Sequence, residues 1–583
     1  MVSSRPKFTH PKQNETPQVT RQLYFGLMSN KEAVLEKSAP VDGAAVPLLA
    51  VNDLTVTFST SAGEFTAVRN ASFEVRAGRT LAIVGESGSG KSTLAAAINR
   101  LLASNATIAT GSVMFEGRDL TKVSERAMRD VRGAGIGLVP QDPMSNLDPV
   151  LRIGAQIVEV LETHGYATGK AARVRAIELL AMVGITEPER RFSQFPHEFS
   201  GGMRQRVLIA IGLACEPRLL IADEPTSALD VTVQRQVLDQ LALLTERMGT
   251  SVVMITHDLG LAAERADDVL VMFRGDIVEH GPARDILLNP QHEYTKRLLD
   301  AAPSLTSHKP TTRVRHQGAG GDVITITNLN KEYRVRDSAW KPKRAFTAVK
   351  DSTFSIPRGQ TVAIVGESGS GKSTTARLVL GLESATSGRI DHNGLDVAAQ
   401  TRAQRFAFTR KVQPVFQNPF ASLDPLVTVG ATIAEPLEVH RIGTKESRRA
   451  RVLELAHQVA LPEELLSRRP HELSGGQCQR VAIARALALE PELIVLDEAV
   501  SALDVLVQAQ ILDLLTRLQD EMGLSYLFIS HDLAVVRQVA DFVHVMRLGE
   551  IVESGTPEAI FDLPQHEYTR ALLAAIPDPR ARL

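Results

Sequence analysis

The sequence predicts an α/β protein made of two tandem copies of one domain, each with a central sheet of parallel strands. The nine-residue segment GESGSGKST occurs at residues 85–93 and again, letter for letter, at residues 366–374. Three further segments recur in the same order: SGG from Ser200 and Ser474, SALD from Ser227 and Ser501, and QHEYT from Gln291 and Gln565. Within each copy, short β-branched apolar runs alternate with helical patterns, which is typical of strands joined by crossover helices.

The repeated segments divide the chain into two domains of similar length. Lys91 and Lys372 are 281 positions apart, whereas Ser200 and Ser474 are 274 positions apart, as are the later pairs. We expect a disordered tail at 1–46, because this stretch is polar and lacks periodicity, and a Pro-, Gly- and Ser-containing linker at 304–322. The domains are predicted at 47–303 and 323–583, with the clearest strands at 80–84, 219–222, 252–256, 361–365, 493–496 and 526–530.

Composition excludes several classes of protein. The 583 residues exceed one core of about 150 residues, and 44% hydrophobic with 23% charged residues is ordinary for a globular protein. A net charge of −2 without a long basic block argues against nucleic acid as a partner. Cys215 and Cys478 are too few for a disulfide framework, which favours a reducing cytosol. The longest apolar run, 207–215, is half the length of a membrane span and predicts a buried helix.

The repeated glycine-rich segment predicts a phosphate-binding loop. Its pattern, GxxxxGK[ST] between a strand and a helix, lets backbone N–H groups and the helix N-terminus surround a phosphate. Lys91 can reach the β- and γ-phosphates, and the Ser92 hydroxyl can bind Mg²⁺. A chance match in a glycine-rich turn is the alternative, and two identical copies argue against it. The predicted nucleotide-binding residues are Gly85, Gly88, Gly90, Lys91, Ser92 and Thr93, with Gly366, Gly369, Gly371, Lys372, Ser373 and Thr374.

Polar residues at the ends of later strands predict hydrolysis of that nucleotide. RLLIADEP and ELIVLDEA each place an acid pair at a strand end; the first acid suits Mg²⁺ and the second suits activation of water. A histidine lies 34 positions after each first acid, and a loop glutamine precedes each pair. Helix N-caps and structural histidines are the alternatives. The residues are Asp223, Glu224, His257 and Gln141, with Asp497, Glu498, His531 and Gln417; the metal ligands among them are Asp223, Asp497 and the two glutamines, with Ser92 and Ser373.

One aromatic residue precedes each loop at the end of a predicted strand. Phe58 and Tyr333 could each stack on an adenine ring. Burial in the core is the alternative for a single aromatic residue. The repetition in both copies favours stacking.

With these motifs in this order, from about Leu48 onward, the chain resembles the ATP-binding-cassette (ABC) transporter ATPases. FSGGM at 199–203 and LSGGQ at 473–477 are similar to the family signature, with Phe199 and Met203 as departures. The resemblance implies a RecA-like core and a helical subdomain in each copy, and head-to-tail pairing of the copies within the chain. Signature residues of one copy would then share a nucleotide with the other copy's loop: Ser474, Gly475, Gly476 and Gln477 with Lys91, and Ser200, Gly201 and Gly202 with Lys372. Asp230 and Asp504 would lie at the interface.

The stretches QDPMSNLDP, QNPFASLDP and PQHEYT are similar to the oligopeptide and dipeptide importer branch, which includes relatives for nickel and glutathione. This resemblance implies an ATPase that uses ATP and Mg²⁺ to drive peptide import, with nickel, glutathione or another small solute as alternative cargo. The implied partners are two integral-membrane permease subunits and an extracytoplasmic substrate-binding protein, at the cytoplasmic face of the inner membrane. No cysteine follows Cys478, so we expect no iron–sulfur cluster.

Two other functions compete with import. A soluble twin-cassette ATPase acting on ribosomes or nucleic acid usually has a long charged linker or zinc-binding cysteine pairs, and this sequence has neither. A non-hydrolysing scaffold is disfavoured because both acid pairs and both histidines are intact. We therefore expect two working ATP sites.

Overall fold

The computed structural model describes residues 46–60, 63–226, 229–302, 321–335 and 344–576. The predicted tail, apart from Val46, and the predicted linker, apart from Gly321 and Asp322, lie outside the described residues. Asp322 is the first residue of a strand, so the expectation that it ends the linker is wrong. It pairs with Pro357 of the neighbouring strand.

The first half contains ten described strands and a series of helices. The strands are β1 Leu49–Thr60, β2 Gly63–Val75, β3 Thr80–Val84, β4 Ala106–Phe115, β5 Arg118–Asp119, β6 Ile136–Val139, β7 Leu219–Asp223, β8 Ser251–Thr256, β9 Asp268–Phe273 and β10 Asp276–Pro282. The α-helices are Lys91–Ile98, Glu125–Val131, Ile153–Thr163, Gly169–Met182, Pro188–Arg191, Gly201–Gly212, Val231–Met248, Leu259–Arg265, Ala283–Leu288 and Glu293–Ala301.

The second half repeats this order. Its strands are β11 Asp322–Val335, β12 Arg344–Pro357, β13 Thr361–Val365, β14 Ser387–His392, β15 Leu395–Asp396, β16 Val412–Val415, β17 Leu493–Asp497, β18 Ser525–Ser530, β19 Phe542–Arg547 and β20 Glu550–Gly555. Its α-helices are Lys372–Val379, Arg402–Lys411, Val429–Val439, Lys445–Gln458, Gly475–Leu487, Val505–Met522, Leu533–Val539, Pro557–Asp562 and Glu567–Ala574. The prediction of two tandem α/β copies is confirmed.

The larger sheet of each half brings the predicted site motifs to one edge. Its six strands run in the order β10-β9-β3-β8-β7-β6, and β16-β17-β18-β13-β19-β20 in the second half. All neighbours are parallel except the β9–β10 and β19–β20 pairs. The carboxyl ends of β3, β8, β7 and β6 therefore lie side by side, which is where ligands bind in open α/β sheets.

Each half also has a smaller antiparallel sheet, which the sequence analysis did not predict. Its four strands run in the order β2-β1-β4-β5, and β12-β11-β14-β15 in the second half. Apolar side chains from this sheet and from one face of the larger sheet form a shared core. The expectation of one parallel sheet per copy was therefore incomplete.

A helical segment separates β6 from β7 in the first half and β16 from β17 in the second. The predicted buried helix at 207–215 belongs to the helix Gly201–Gly212, which begins before the apolar run and ends before Cys215. Ser200 is its N-cap. Among the residues that the structure describes, no helix has the length and apolar character needed to cross a bilayer.

The two halves pack against each other through helices. Glu293–Ala301 of the first half contacts Val505–Met522 of the second. Val505 is buried within the apolar core of the first half, and Leu506 packs against its edge. The start of the helix Val505–Met522 therefore packs against the first half.

His544 is a buried histidine of the second half. It lies on β19 with its ring 4.9 Å from Phe354 and 5.1 Å from Phe542, and Nδ1 is 2.7 Å from the Ser554 hydroxyl. Burial lowers the pKa of His544 to about 4. The unfolded chain, in which a histidine has a pKa near 6.5, therefore takes up a proton that the folded chain excludes.

We predict that the free energy of unfolding of the second half falls by about 3 kcal/mol as the pH decreases from about 6.5 to about 4, because of this residue alone. The equivalent position in the first half is Leu270. His544→Leu should therefore unfold with a shallower pH dependence than the wild type in urea titrations at several pH values. Equal slopes for the two proteins would contradict this assignment.

Candidate active sites

The phosphate-binding loop of the first half follows β3 and leads into the helix Lys91–Ile98. The Lys91 ammonium is buried and donates hydrogen bonds to the carbonyl oxygens of Gly85 and Glu86, both at 2.7 Å. Lys372 makes the same bonds to Gly366 and Glu367, at 2.7 and 2.8 Å. Burial lowers the pKa of both lysines, and the carboxylates of the acid pairs oppose this effect.

Close approach to other strands requires glycine at two positions of each loop. A Cβ atom on Gly85 would lie 2.2 Å from the carbonyl oxygen of Met272 on β9, and one on Gly90 would lie 2.5 Å from that of Ala67 on β2. Gly366 and Gly371 have equivalent contacts at 2.1 and 2.3 Å. Gly88 and Gly369 are open but have φ angles of 79° and 80°, which glycine tolerates best.

The first acid of each pair faces the loop serine. The Ser92 hydroxyl donates to Asp223 at 3.2 Å, and Ser373 donates to Asp497 at 3.1 Å. Burial raises the pKa of both aspartates, and the serine hydroxyls oppose it. Thr93 and Thr374 follow the serines and are half-buried. Hydroxyl and carboxylate oxygens are the ligands that Mg²⁺ prefers, so these residues fit that ion.

The second acid of each pair lies between an amide and an imidazole. Glu224 accepts from the Gln141 amide at 2.8 Å, and its other carboxylate oxygen is 3.3 Å from Nδ1 of His257. Its backbone N–H donates to Ile255 on β8 at 2.9 Å, with a φ of 43°. This left-handed backbone is strained for a residue with a side chain, and it turns the carboxylate toward both partners.

The second half repeats this arrangement closely. Gln417 donates to Glu498 at 2.6 Å, and Nδ1 of His531 is 3.4 Å from the carboxylate. Glu498 has a φ of 50° and donates its N–H to Ile529 at 2.9 Å. The structure therefore brings loop, acid pair, glutamine and histidine together in both halves.

Each glutamate–histidine pair shifts the titration of both members. Burial alone would raise the pKa of Glu224, but the hydrogen bond and charge of His257 and the charge of Lys91 lower it overall. Burial alone would lower the pKa of His257, but Glu224 raises it overall. Glu498 and His531 shift in the same directions for the same reasons.

The two predicted adenine-stacking residues differ in their surroundings. Phe58 is half-buried on β1, opposite Phe65 on β2. Tyr333 is half-buried on β11; its hydroxyl donates to the Glu383 carboxylate, and the Lys331 ammonium lies 4.9 Å from its ring centroid. One face of the tyrosine ring is therefore occupied by a cation.

The signature segments begin long helices. The Ser200 hydroxyl accepts the Met203 N–H at 3.3 Å, as the Ser474 hydroxyl does from Gln477. Gln477 also accepts the Ser474 N–H at 2.9 Å, a reciprocal cap that Met203 cannot form.

The two glycines of each signature segment differ in packing. A Cβ atom on Gly202 would lie 2.4 Å from Val233, and one on Gly476 equally close to Val507. Gly201 and Gly475 have only ordinary contacts. The second glycine is therefore needed for helix packing.

Residues of both halves line the site built on Lys91. A cavity of about 280 Å³ is lined by Ser87, Gln141, Glu224 and His257 of the first half and by Ser501, Ala502, Leu503 and Asp504 of the second. Asp504 caps the helix Val505–Met522, and its negative charge raises the pKa of Lys91, against the effect of burial. The charge of Asp230 has the same effect on the pKa of Lys372.

Sequence reasoning missed one group that the structure places at each loop. The hydroxyl of Tyr294 accepts the Glu86 N–H at 3.0 Å, and that of Tyr568 accepts the Glu367 N–H at 3.0 Å. Both tyrosines belong to the repeated QHEYT segment, whose repetition was the available signal. Nothing local in the sequence indicates a bond between positions 208 residues apart.

Two family profiles match the chain. The family profile described as "ABC transporter" matches residues 68–227 and 349–501, together more than half of the chain. The profile described as "Oligopeptide/dipeptide transporter, C-terminal region" matches residues 278–333 and 552–583.

Relatives match nearly the whole chain. The Glutathione import ATP-binding protein GsiA of Escherichia coli (strain K12) is 44% identical over 557 residues, covering 91% of this chain and 89% of that protein. The protein of that name from Salmonella paratyphi A is 43% identical and covers the same shares of the two chains.

Among solved structures, the dimeric structure of the ATP-binding cassette MJ0796 with ADP and Pi is 31% identical to this chain. The match covers 40% of this chain and 98% of that chain, with a TM-score of 0.37.

The chain belongs to the ABC transporter family, and specifically to its members with the oligopeptide/dipeptide transporter C-terminal region. It is an ATP-binding ATPase subunit with two tandem cassettes. The family predicted from the motifs is confirmed.

We predict that the imidazole pKa of His257 lies above 6.5 and falls below 6.5 in Glu224→Gln, because burial remains while the carboxylate is lost. The imidazole C2 resonances, followed by NMR against pH, measure this directly. Glu498→Gln is the matched control, since it should lower the pKa of His531 and leave His257 unchanged. Unaltered titration of both histidines in both variants would refute the pairing.

Proposed function

We propose that the chain is the energy-coupling subunit of an importer for short peptides, in which both ATP sites hydrolyse. The observation that carries this proposal is the glutamate held between an amide and an imidazole beside each phosphate-binding loop. Glutathione, the cargo in the relatives' name, is itself a tripeptide. Nickel and other small solutes are the alternative cargoes.

The geometry supports a role for Glu224 in orienting the attacking water. Its lowered pKa keeps it ionised at neutral pH, so the carboxylate can accept a hydrogen bond from water. Little covalent chemistry is needed, because the phosphoryl transition state is loose and catalysis is mainly positioning and charge stabilisation. Because the ionised Glu224 can only accept, Nδ1 of His257 donates to it. The raised pKa of His257 favours the imidazolium form, in which Nε2 also bears an N–H that would donate to the γ-phosphate. Glu498 and His531 would act likewise.

Lys91 and Lys372 would bind the β- and γ-phosphates, together with backbone N–H groups of their loops. Ser92, Asp223 and Gln141 would hold Mg²⁺ at one site, and Ser373, Asp497 and Gln417 at the other. When bound, the ion would neutralise negative charge that develops on the phosphates. Phe58 and Tyr333 would each present a ring face to adenine.

Head-to-tail pairing of the halves would complete each site. The residues Ser501–Asp504 already line the cavity of the first site, which supports this orientation. The helix N-termini at Ser474 and Ser200 would then meet the phosphates held by Lys91 and Lys372, because unpaired N–H groups and the helix dipole attract anions. Fusion in one chain raises the effective concentration of one half for the other.

The proposed partners are two integral-membrane permease subunits and an extracytoplasmic substrate-binding protein. The chain would work at the cytoplasmic face of the inner membrane as a peripheral subunit. The oligopeptide/dipeptide match at the end of each half supports this assembly over a ribosomal or nucleic-acid partner.

We predict that proteoliposomes containing the chain and its co-purifying membrane subunits take up labelled glutathione or dipeptide with ATP and the binding protein. Glu224→Gln and Glu498→Gln should each lower uptake and ATP turnover by at least about a hundredfold, about 2.7 kcal/mol of barrier, because each removes the group that orients water.

Glu264→Gln, a substitution on the helix Leu259–Arg265 outside the sites, is the control and should behave as wild type. Full turnover in Glu224→Gln with loss only in Glu498→Gln would mean that the first site is structural. Competition by Ni²⁺ without competition by peptides would reassign the cargo.

A further inference from the structure

A tyrosine lies beneath the phosphate-binding loop of each half. Tyr294 is the second residue of the helix Glu293–Ala301 and is completely buried, and Tyr568 is the second residue of Glu567–Ala574. Each hydroxyl accepts the N–H of the loop glutamate at 3.0 Å. The mechanism proposed above gives neither tyrosine a role.

The bonded peptide unit also holds the loop lysine. The Glu86 N–H, which donates to Tyr294, belongs to the same peptide unit as the Gly85 carbonyl, and that carbonyl accepts the Lys91 ammonium at 2.7 Å. In the second half, the Glu367 N–H donates to Tyr568, and the Gly366 carbonyl of the same peptide unit accepts the Lys372 ammonium at 2.7 Å. A chain of two hydrogen bonds therefore joins each tyrosine to the residue proposed to bind the β- and γ-phosphates.

The tyrosine is fixed independently of the loop. The N–H of Tyr294 donates to Nδ1 of His292 at 3.1 Å, and its ring stacks on Phe273 at 4.2 Å. Glu279 on β10 accepts the N–H groups of Gln291 and His292 at 2.8 and 3.1 Å. These contacts tie the start of the helix to β9 and β10, which belong to the larger sheet.

The second half anchors its tyrosine in the same way. His566 accepts the N–H of Tyr568 at 3.1 Å, and Glu553 on β20 accepts the N–H groups of Gln565 and His566. The Arg547 guanidinium lies 4.9 Å from the Tyr568 ring. Burial raises the pKa of Tyr568 to about 12, so the hydroxyl stays neutral near pH 7.

We propose that Tyr294 and Tyr568 are positioning residues that hold the phosphate-binding loops in the conformation that binds nucleotide. This inference rests on the proposed function and gives a role to the C-terminal region of each half, which includes both tyrosines. Without the hydroxyl, the partly buried N–H of the loop glutamate loses its acceptor, and the loop occupies the competent conformation for only part of the time. The apparent affinity falls by that fraction.

The test uses the full-length chain and Mg²⁺–ATP competing with a fluorescent ATP analogue. In a Lys372→Ala background, only the first site is expected to bind ATP. There, Tyr294→Phe should weaken ATP binding about tenfold, and it should raise the KM for ATP by a larger factor than it lowers kcat. In a Lys91→Ala background the same substitution should leave affinity unchanged, and Tyr568→Phe should show the reverse pattern. Tyr526→Phe, which removes a buried hydroxyl bonded to a core carbonyl, is the matched control.

A merely structural role predicts a different result. If Tyr294→Phe and Tyr568→Phe lowered the melting temperature as Tyr526→Phe does, and left ATP affinity unchanged in either background, the positioning role would be refuted. Equal weakening in both backgrounds would refute it also. Wild-type chain that bound ATP without hydrolysing it would instead overturn the proposed function, while the affinity comparison would still decide the role of the tyrosines.

Discussion

The close packing of each phosphate-binding loop between two sheets is the constraint on which the rest of the structure depends. Carbonyl oxygens of β9 and β2 approach Gly85 and Gly90 so closely that a Cβ atom would lie at 2.2 and 2.5 Å. The loop is thereby joined to the larger sheet on one side and to the antiparallel sheet on the other. With its backbone fixed, the buried Lys91 has two carbonyl acceptors, and Ser92 faces Asp223 across the edge of the sheet. A preorganised site of this kind needs little rearrangement when phosphate binds.

The order of strands explains why motifs far apart in sequence converge. Glu224 directly follows β7. This strand lies between β8, which ends before His257, and β6, which ends before Gln141. Because these strands are parallel, their carboxyl ends meet at one edge, and the three side chains reach one another. The left-handed backbone at Glu224 and Glu498 stores strain in both halves, and its repetition ties that strain to the site.

Sequence reasoning located the motifs well because each is short and keeps its spacing. It was weaker where long-range contacts decide the structure. The antiparallel sheet pairs residues of β1 and β4 that are 48 positions apart, for Phe58 and Ala106, to 66 positions apart, for Leu49 and Phe115. Bulges interrupt these pairings, and no local period in the sequence reveals them. The signature helix begins at Gly201 because Ser200 caps it, and the apolar pattern used for the prediction starts only later. The tyrosine–loop bond spans 208 positions and is visible only once the chain is folded.

The central claim is that the two halves clamp two nucleotides between them, each site being completed by the other half. It is tested most directly by small-angle scattering of the Glu224→Gln and Glu498→Gln double variant, with bound ATP counted on the same sample. The substitutions retain the groups proposed to bind phosphate and remove the carboxylates proposed to orient water, so ATP should persist. The account predicts two ATP per chain and a smaller radius of gyration on adding Mg²⁺–ATP, with the chain still monomeric. Binding of ATP without compaction, or compaction only through dimerisation of whole chains, would contradict it.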